Sequence, residues 1–221
     1  MKTSFPFLCL ICFVLLFLCG CGGGSLSPAE KAKADKFLAE YGRNVIGCYL
    51  DEVRMDQDTD GNIIINHLKY FMSKGADING RNEFDGVAIH SAAENGNVEV
   101  VKFLVSNGAD VNAKSKRDRT PLHDAAVDKK NVEVIKFLVS KGADVNVKIP
   151  NYVDMTILHV VIEEWGQENL EIVKFLVSNG SDINAKDSQG QTPHDLAKRY
   201  GYKEVAEYLT SMGAKSGREL E

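Results

Sequence analysis

Apolar positions follow two patterns along this chain. From Phe5 to Leu18 they form one block of 14 positions without a charge. After Ser27 they recur at helical spacing between short polar breaks. In "NVEVVKFLVS" (97–106), Val100, Val101, Phe103, Leu104 and Val105 cover too broad a face for a helix lying on a surface, so this helix has to pack on more than one side. The same run returns as "NVEVIKFLVS" (131–140) and "NLEIVKFLVS" (169–178). A small pair, Ala92-Ala93 or Ala125-Ala126, sits in the preceding segment and lets a second helix approach closely. Gly75, Gly108, Gly142 and Gly180 fall where a helix C-terminus favours a left-handed residue. The pattern predicts helix–turn–helix units that cannot bury their apolar faces alone and must stack.

Self-comparison sets the period. Units begin at Gly75, Gly108, Gly142 and Gly180 and run for 33, 34, 38 and 33 residues. The "TPLH" at Thr120–His123, the Ala pairs and the recurring "GADVN" step resemble ankyrin repeats. The resemblance implies an all-α solenoid of helix–turn–helix repeats with β-hairpin-like finger loops. It places four repeats at 75–107, 108–141, 142–179 and 180–212 within 75–215, the last serving as a C-terminal cap, and leaves 216–221 as a tail. Before them, 27–74 reads as a capping helix and a degenerate first repeat: "NVIGCYLDEVRM" is its inner helix, and "NHLKYFMSKGADIN" aligns with a second helix and step. Ser27-Pro28-Ala29-Glu30 is a helix start, with Ser at the N-cap, Pro in the first turn and Glu three residues on.

The apolar block at the start is short for a membrane-spanning helix, which needs about 20 residues, and suits the central region of a secretory signal. "LCGC" (18–21) resembles a bacterial lipobox, which implies a signal peptide over 1–20, lipidation at Cys21 and a flexible tether over 21–26. Ordinary secretion and an uncleaved anchor are the alternatives. The lipoprotein reading implies an exported chain, anchored by lipid in a bacterial envelope and within roughly 20 Å of the bilayer. In an envelope of two membranes, the lack of Asp at position 22 implies the outer one.

Composition narrows the chemistry. With 44% hydrophobic and 26% charged residues the chain belongs to the folded class. A net charge of −5, which becomes −6 when Lys2 leaves with the signal, argues against a nucleic-acid partner. Cys48, in apolar "VIGCYL", reads as a buried thiol; a Cys21–Cys48 bridge is open only if Cys21 is not acylated. "DQDTDGNIIINH" (56–67) begins like a calcium loop, with Asp56, Asp58, Asp60 and Gly61. However, Ile64 and His67 stand where ligands should follow, and the repeat register makes the segment a helix–helix turn. His90, His123 and His159 recur one repeat apart, too far for one metal ion; the resemblance implies hydrogen bonds near the Thr of the same motif. His194 is displaced one place, into the Leu slot of "TPHDLA". No nucleophile, phosphate-loop or metalloprotease motif occurs. No enzyme, cofactor, metal or small-molecule substrate is expected, and a monomer is.

A binding surface remains. The resemblance places it on the finger tips and the exposed face of the inner helices, where the repeats differ. The first tip, "GRNEFD", carries Phe84; the second, "KSKRDR", carries Lys114, Lys116, Arg117 and Arg119, with Asp124 beyond it; the third, "VKIPNYVDM", offers Ile149, Tyr152, Val153 and Met155. Aromatic and aliphatic tips suit a protein interface, or Ile149 and Val153 pack on neighbouring fingers. Trp165 either plugs the longer turn of the third repeat or marks a second contact. The expected function is non-enzymatic: a lipid-anchored module that binds a still unidentified protein partner at a bacterial membrane. An immunity protein neutralising a toxin and a calcium-dependent adhesin using 56–67 are the alternatives.

Overall fold

The computed structural model describes residues 26–53, 60–82, 85–148, 153–166 and 170–220, without the side chains of 51–53. Helix α1 (Pro28–Tyr41) is followed by a 3-10 turn and α2 (Val45–Val53). Then come α3 (Gly61–Ser73), α4 (Ala88–Glu94), α5 (Val98–Ser106), α6 (Pro121–Ala125), a 3-10 turn and α7 (Val132–Ser140). Helices α8 (Ile157–Trp165), α9 (Leu170–Ser178), α10 (Pro193–Arg199) and α11 (Lys203–Ser211) complete the stack, and a 3-10 turn ends it at Gly217–Leu220. Among the described residues β pairing is confined to isolated bridges: Arg81 pairs antiparallel with Val87 at the base of a finger, and Met155 takes part in another. The structure is thus an all-α solenoid. Inner helices α2, α4, α6, α8 and α10 form one layer; outer helices α3, α5, α7, α9 and α11 form the other.

The inner layer is buried nearly all round: Ala88, Ile89, Ala92 and Ala93 in α4, and Ile157 to Ile162 in α8, have almost no exposure. Outer helices bury Val100, Val101 and Leu104, and their counterparts Val134, Ile135 and Leu138, while Phe103 and Phe137 are half-buried. Each outer helix ends on a glycine in the left-handed region, with φ of 86° at Gly75, 91° at Gly108, 88° at Gly142 and 89° at Gly180. The next residue reaches back to close the end, as Ala109 N–H does to the Leu104 carbonyl at 3.0 Å.

Two polar ladders join the repeats. In the first, Thr120 donates through its backbone N–H (3.3 Å) and its hydroxyl (2.9 Å) to His123 Nδ1, so the proton lies on Nε2, which donates to the Val147 carbonyl of the next finger at 3.1 Å. Thr156 and His159 repeat the arrangement, with Nε2 on the Gln191 carbonyl at 3.2 Å. His90 does so without the hydroxyl, since Val87 takes the Thr place, and reaches the Arg119 carbonyl at 3.2 Å. In the second ladder, the Asn79, Asn112 and Asn146 amides donate to the carbonyls of Gly108, Gly142 and Gly180 at 3.0, 3.0 and 2.9 Å, and their oxygens accept from Asp110, Asp144 and Asp182 N–H.

Both ends are closed. At the N-terminus Ser27 and Glu30 form the expected capping box, and Phe37 of α1 meets the Tyr49 ring edge-on at 6.1 Å. Asp60 caps α3 by accepting from Asn62 N–H at 2.9 Å, while Asp56 and Asp58 lie outside the described residues. Cys48 is buried, as its apolar setting implies. At the other end Asp195 stands in the register of the repeated His and inverts its role. Its Oδ2 accepts from Thr192 N–H at 3.0 Å and from Gly217 N–H of the tail at 2.7 Å. An acceptor there binds the chain's own tail, where a His would seek another finger's carbonyl. His194 sits apart, with Nε2 3.1 Å from the Thr210 hydroxyl.

Burial holds the His123 imidazole down to about 4, and burial lowers His159 as well. Below an unfolded value of 6.5 the unfolded chain takes up protons that the folded chain refuses, so stability is intact above pH 6.5 and declines from there towards pH 4. Burial pushes Asp195 up, but hydrogen bonds from Thr192 and Gly217 outweigh it and leave its carboxyl below the ordinary value. Its contribution is therefore lost only as pH falls further, through the carboxylate range. His123 alone accounts for about 2 kcal/mol between pH 7 and pH 5, at about 1.4 kcal/mol per pKa unit. Urea midpoints at the two pH values check this: the midpoint should be lower at pH 5, and an unchanged midpoint would refute the buried neutral imidazole.

The longer third repeat has a structural use. Asn131 of the second repeat caps the end of α4, donating to the Glu94 carbonyl at 3.1 Å. At the next step the Trp165 indole N–H donates to the Ala126 carbonyl, at the end of the short helix α6, at 2.7 Å. Trp165 is buried and its indole closes the neighbouring repeat's α6, while residues 167–169 of the longer turn lie outside the described residues. Trp165→Phe keeps an aromatic ring but is smaller and leaves that carbonyl without its donor, and should cost about 1–3 kcal/mol in chemical denaturation. Trp165→Ala adds a cavity and should cost about 3–5 kcal/mol.

Candidate protein-binding surface

The fingers are built on a shared backbone need. The residue two places before each inner-helix N-cap is left-handed: Asp85 (φ 60°), Asp118 (φ 56°), Asp154 (φ 53°) and Gly190 (φ 75°). Asp tolerates that region and Gly favours it, which explains the choice at these positions. The third finger adds Val153 at φ 59°, where a β-branched side chain is strained. Val153 is half-buried against the core, and its carbonyl accepts from Ser188 N–H of the following finger at 2.8 Å. It therefore belongs mostly to the packing between fingers.

The other site residues expected from the sequence separate into groups. Lys114, Lys116 and Arg117 are exposed on the second finger. Arg119 is corrected: its Nε donates to Asp124 Oδ1 at 2.7 Å and another guanidinium nitrogen to the His123 carbonyl at 3.1 Å. Asp124 is itself buried, so the two form an inward-facing ion pair that braces the finger against α6 and leaves only 22% of the Arg119 side chain exposed. Met155 is corrected too: only 6% exposed, it joins the core at the start of α8. Phe84, Ile149, Tyr152 and the lipidation candidate Cys21 lie outside the described residues. The structure thus leaves Lys114, Lys116 and Arg117 together at one tip and draws Arg119, Asp124 and Met155 into the scaffold.

Sequence reasoning missed a patch at the opposite end of the inner helices. Tyr200 and Tyr202 stack at 5.7 Å with 21° between their planes, and the Arg199 guanidinium lies 5.7 Å from the Tyr200 ring. The Tyr200 hydroxyl donates to Glu163 Oε1 at 2.9 Å, bridging the third and fourth repeats. Val127, at 55% the most exposed large apolar side chain described, projects from the same end of the second repeat. "RYGY" (199–202) held the available signal, a pair of aromatics at a polar turn.

On the outer face a cleft of about 630 Å³ opens between α7 and α9, where the second repeat meets the third. Trp165, Val132, Ile172 and Phe175 give it apolar walls, and Lys129, Lys136 and Lys174 line it together with Glu171. No group of three or more His, Cys, Asp or Glu side chains is placed to hold a metal among the described residues. No helix among them is long and apolar enough to cross a membrane.

The half-buried Arg119–Asp124 pair should behave as a unit. In a double-mutant cycle, Arg119→Ala and Asp124→Ala should show a coupling of about 1–3 kcal/mol in unfolding free energy. Additive losses would mean that the two side chains act independently.

Comparison with known families gives one match. A family model described as Ankyrin repeats (3 copies) matches residues 60–149 and again 150–219. No curated protein matches the chain.

Proposed function

The chain belongs to the ankyrin-repeat family, and from that premise we propose that it is a non-enzymatic module that binds a protein partner while a lipid on Cys21 holds it to a bacterial envelope membrane. The observation that carries the binding part is the second finger. In a chain with a net charge of −5, Lys114, Lys116 and Arg117 stand exposed at one tip, while the neighbouring polar side chains are engaged in holding the repeats together. A rigid basic tip on a packed scaffold favours a partner that presents an acidic patch, and it speeds the encounter with one. Phe84, Ile149 and Tyr152, with what Val153 leaves exposed, are proposed as the apolar part of the same contact. Asp124, Arg119 and Met155 support it from inside.

Support for the anchor comes from the sequence: the apolar block 5–18 and the "LCGC" that closes it. The outer membrane is the proposed address in an envelope of two membranes. One experiment addresses both halves. Cells making the full chain are crosslinked, and their membranes are compared with those of Cys21→Ser and Lys114→Glu/Arg117→Glu cells. A specific crosslinked protein should disappear with the fingertip charges reversed, and the Cys21→Ser chain should leave the membrane fraction. A partner unaffected by the fingertip variant would overturn the binding site, and an unchanged membrane fraction would overturn the anchor.

A further inference from the structure

The outer-face cleft carries an inference of its own, which rests on the reading of the chain as a protein-binding module. We propose that the cleft between α7 and α9 is a second docking site, and that it takes a short acidic amphipathic helix of a partner protein.

Three observations select this occupant. The first is shape: two outer helices of nine residues each, about 13 Å long at 1.5 Å per residue, flank an open cleft. A third helix of about two turns lies in such a groove with one stripe of side chains pointing down.

The second is the apolar lining. Trp165, which is 7% exposed, contributes to it with its indole N–H already satisfied by the Ala126 carbonyl, so what it offers the cleft is apolar surface. Val132, Ile172 and Phe175 extend that surface to both walls.

The third is charge. Three lysines and one glutamate line the cleft of an otherwise acidic protein. Lys136 and Lys174 lie 3.2 and 3.3 Å from Glu133 and Glu171, as pairs one turn apart in their own helices. Their side chains are 47% and 45% exposed, and exposed pairs of this kind contribute little, so either lysine can turn to an incoming carboxylate at small cost. A carboxylate on each side of an apolar stripe fits this arrangement; a basic helix does not.

The test uses the full chain, in detergent, immobilised. The probe is a library of peptides of about 15 residues, long enough to hold some helix in water, with Leu and Phe along one stripe and Glu or Lys at random elsewhere. Glu-rich members should be retained, shift the fluorescence of Trp165 (the chain's single Trp), and bind Lys136→Glu/Lys174→Glu about tenfold more weakly or worse. The milder Lys136→Ala/Lys174→Ala should show the same direction, and circular dichroism of both variants should match the parent. Retention of Lys-rich peptides, or retention that both variants leave unchanged, would overturn the proposal. So would binding lost in Lys114→Glu/Arg117→Glu and kept in the cleft variants, which would return the peptide to the fingers and leave the module reading standing. A concentration-dependent doubling of mass, abolished by Lys136→Glu/Lys174→Glu, would assign the cleft to a second copy of the chain and overturn it too.

Discussion

Each repeat leaves apolar faces and polar groups that only its neighbour can cover, and the rest of the structure follows from that need. An inner helix such as α4, five to nine residues long in this family of units, is too short to persist alone in water. It persists because the repeats before and after it remove its alanine face from water. The imidazole ladder adds direction: each His accepts from its own repeat and donates to the next. The Asn ladder does the same between steps. Cohesion therefore lies mainly between repeats, and the chain gains stability by adding neighbours.

The same need explains where regularity fails. Helix α6 is the shortest inner helix, and its end is closed by a side chain from the following repeat. The indole that closes it belongs to the longest repeat, and the outer helices beside it flank the open cleft. Length, aromatic plug and cleft coincide at one seam. At the C-terminal end the imidazole gives way to Asp195, an acceptor matched to the tail's own Gly217 N–H. One substitution of donor by acceptor closes the ladder.

Much of this is legible in the sequence because it is periodic. The helix pairs, the left-handed glycines, the Ser27–Glu30 start and the structural His all repeat, or obey local rules that need no partner. Single-copy features are harder to read. Arg119 looks like part of a basic tip, yet its position beside Asp124 draws it inward, and only the finger's return path shows this. Met155 follows an apolar tip and equally suits a helix start; burial at the start of α8 decides it. Tyr200 and Tyr202 are polar-turn residues in sequence and become neighbours only because the left-handed Gly201 between them turns the chain. The cleft is invisible along the chain, since its lining comes from three different repeats.

Native-state hydrogen exchange across the stack tests the dependence on neighbours most directly. If cohesion lies between repeats, the amides of α4 and α8, covered on both sides, should exchange slowest and share one opening free energy, with α1 and α11 opening first. Equal protection along the chain, or terminal helices protected better than α4 and α8, would contradict it.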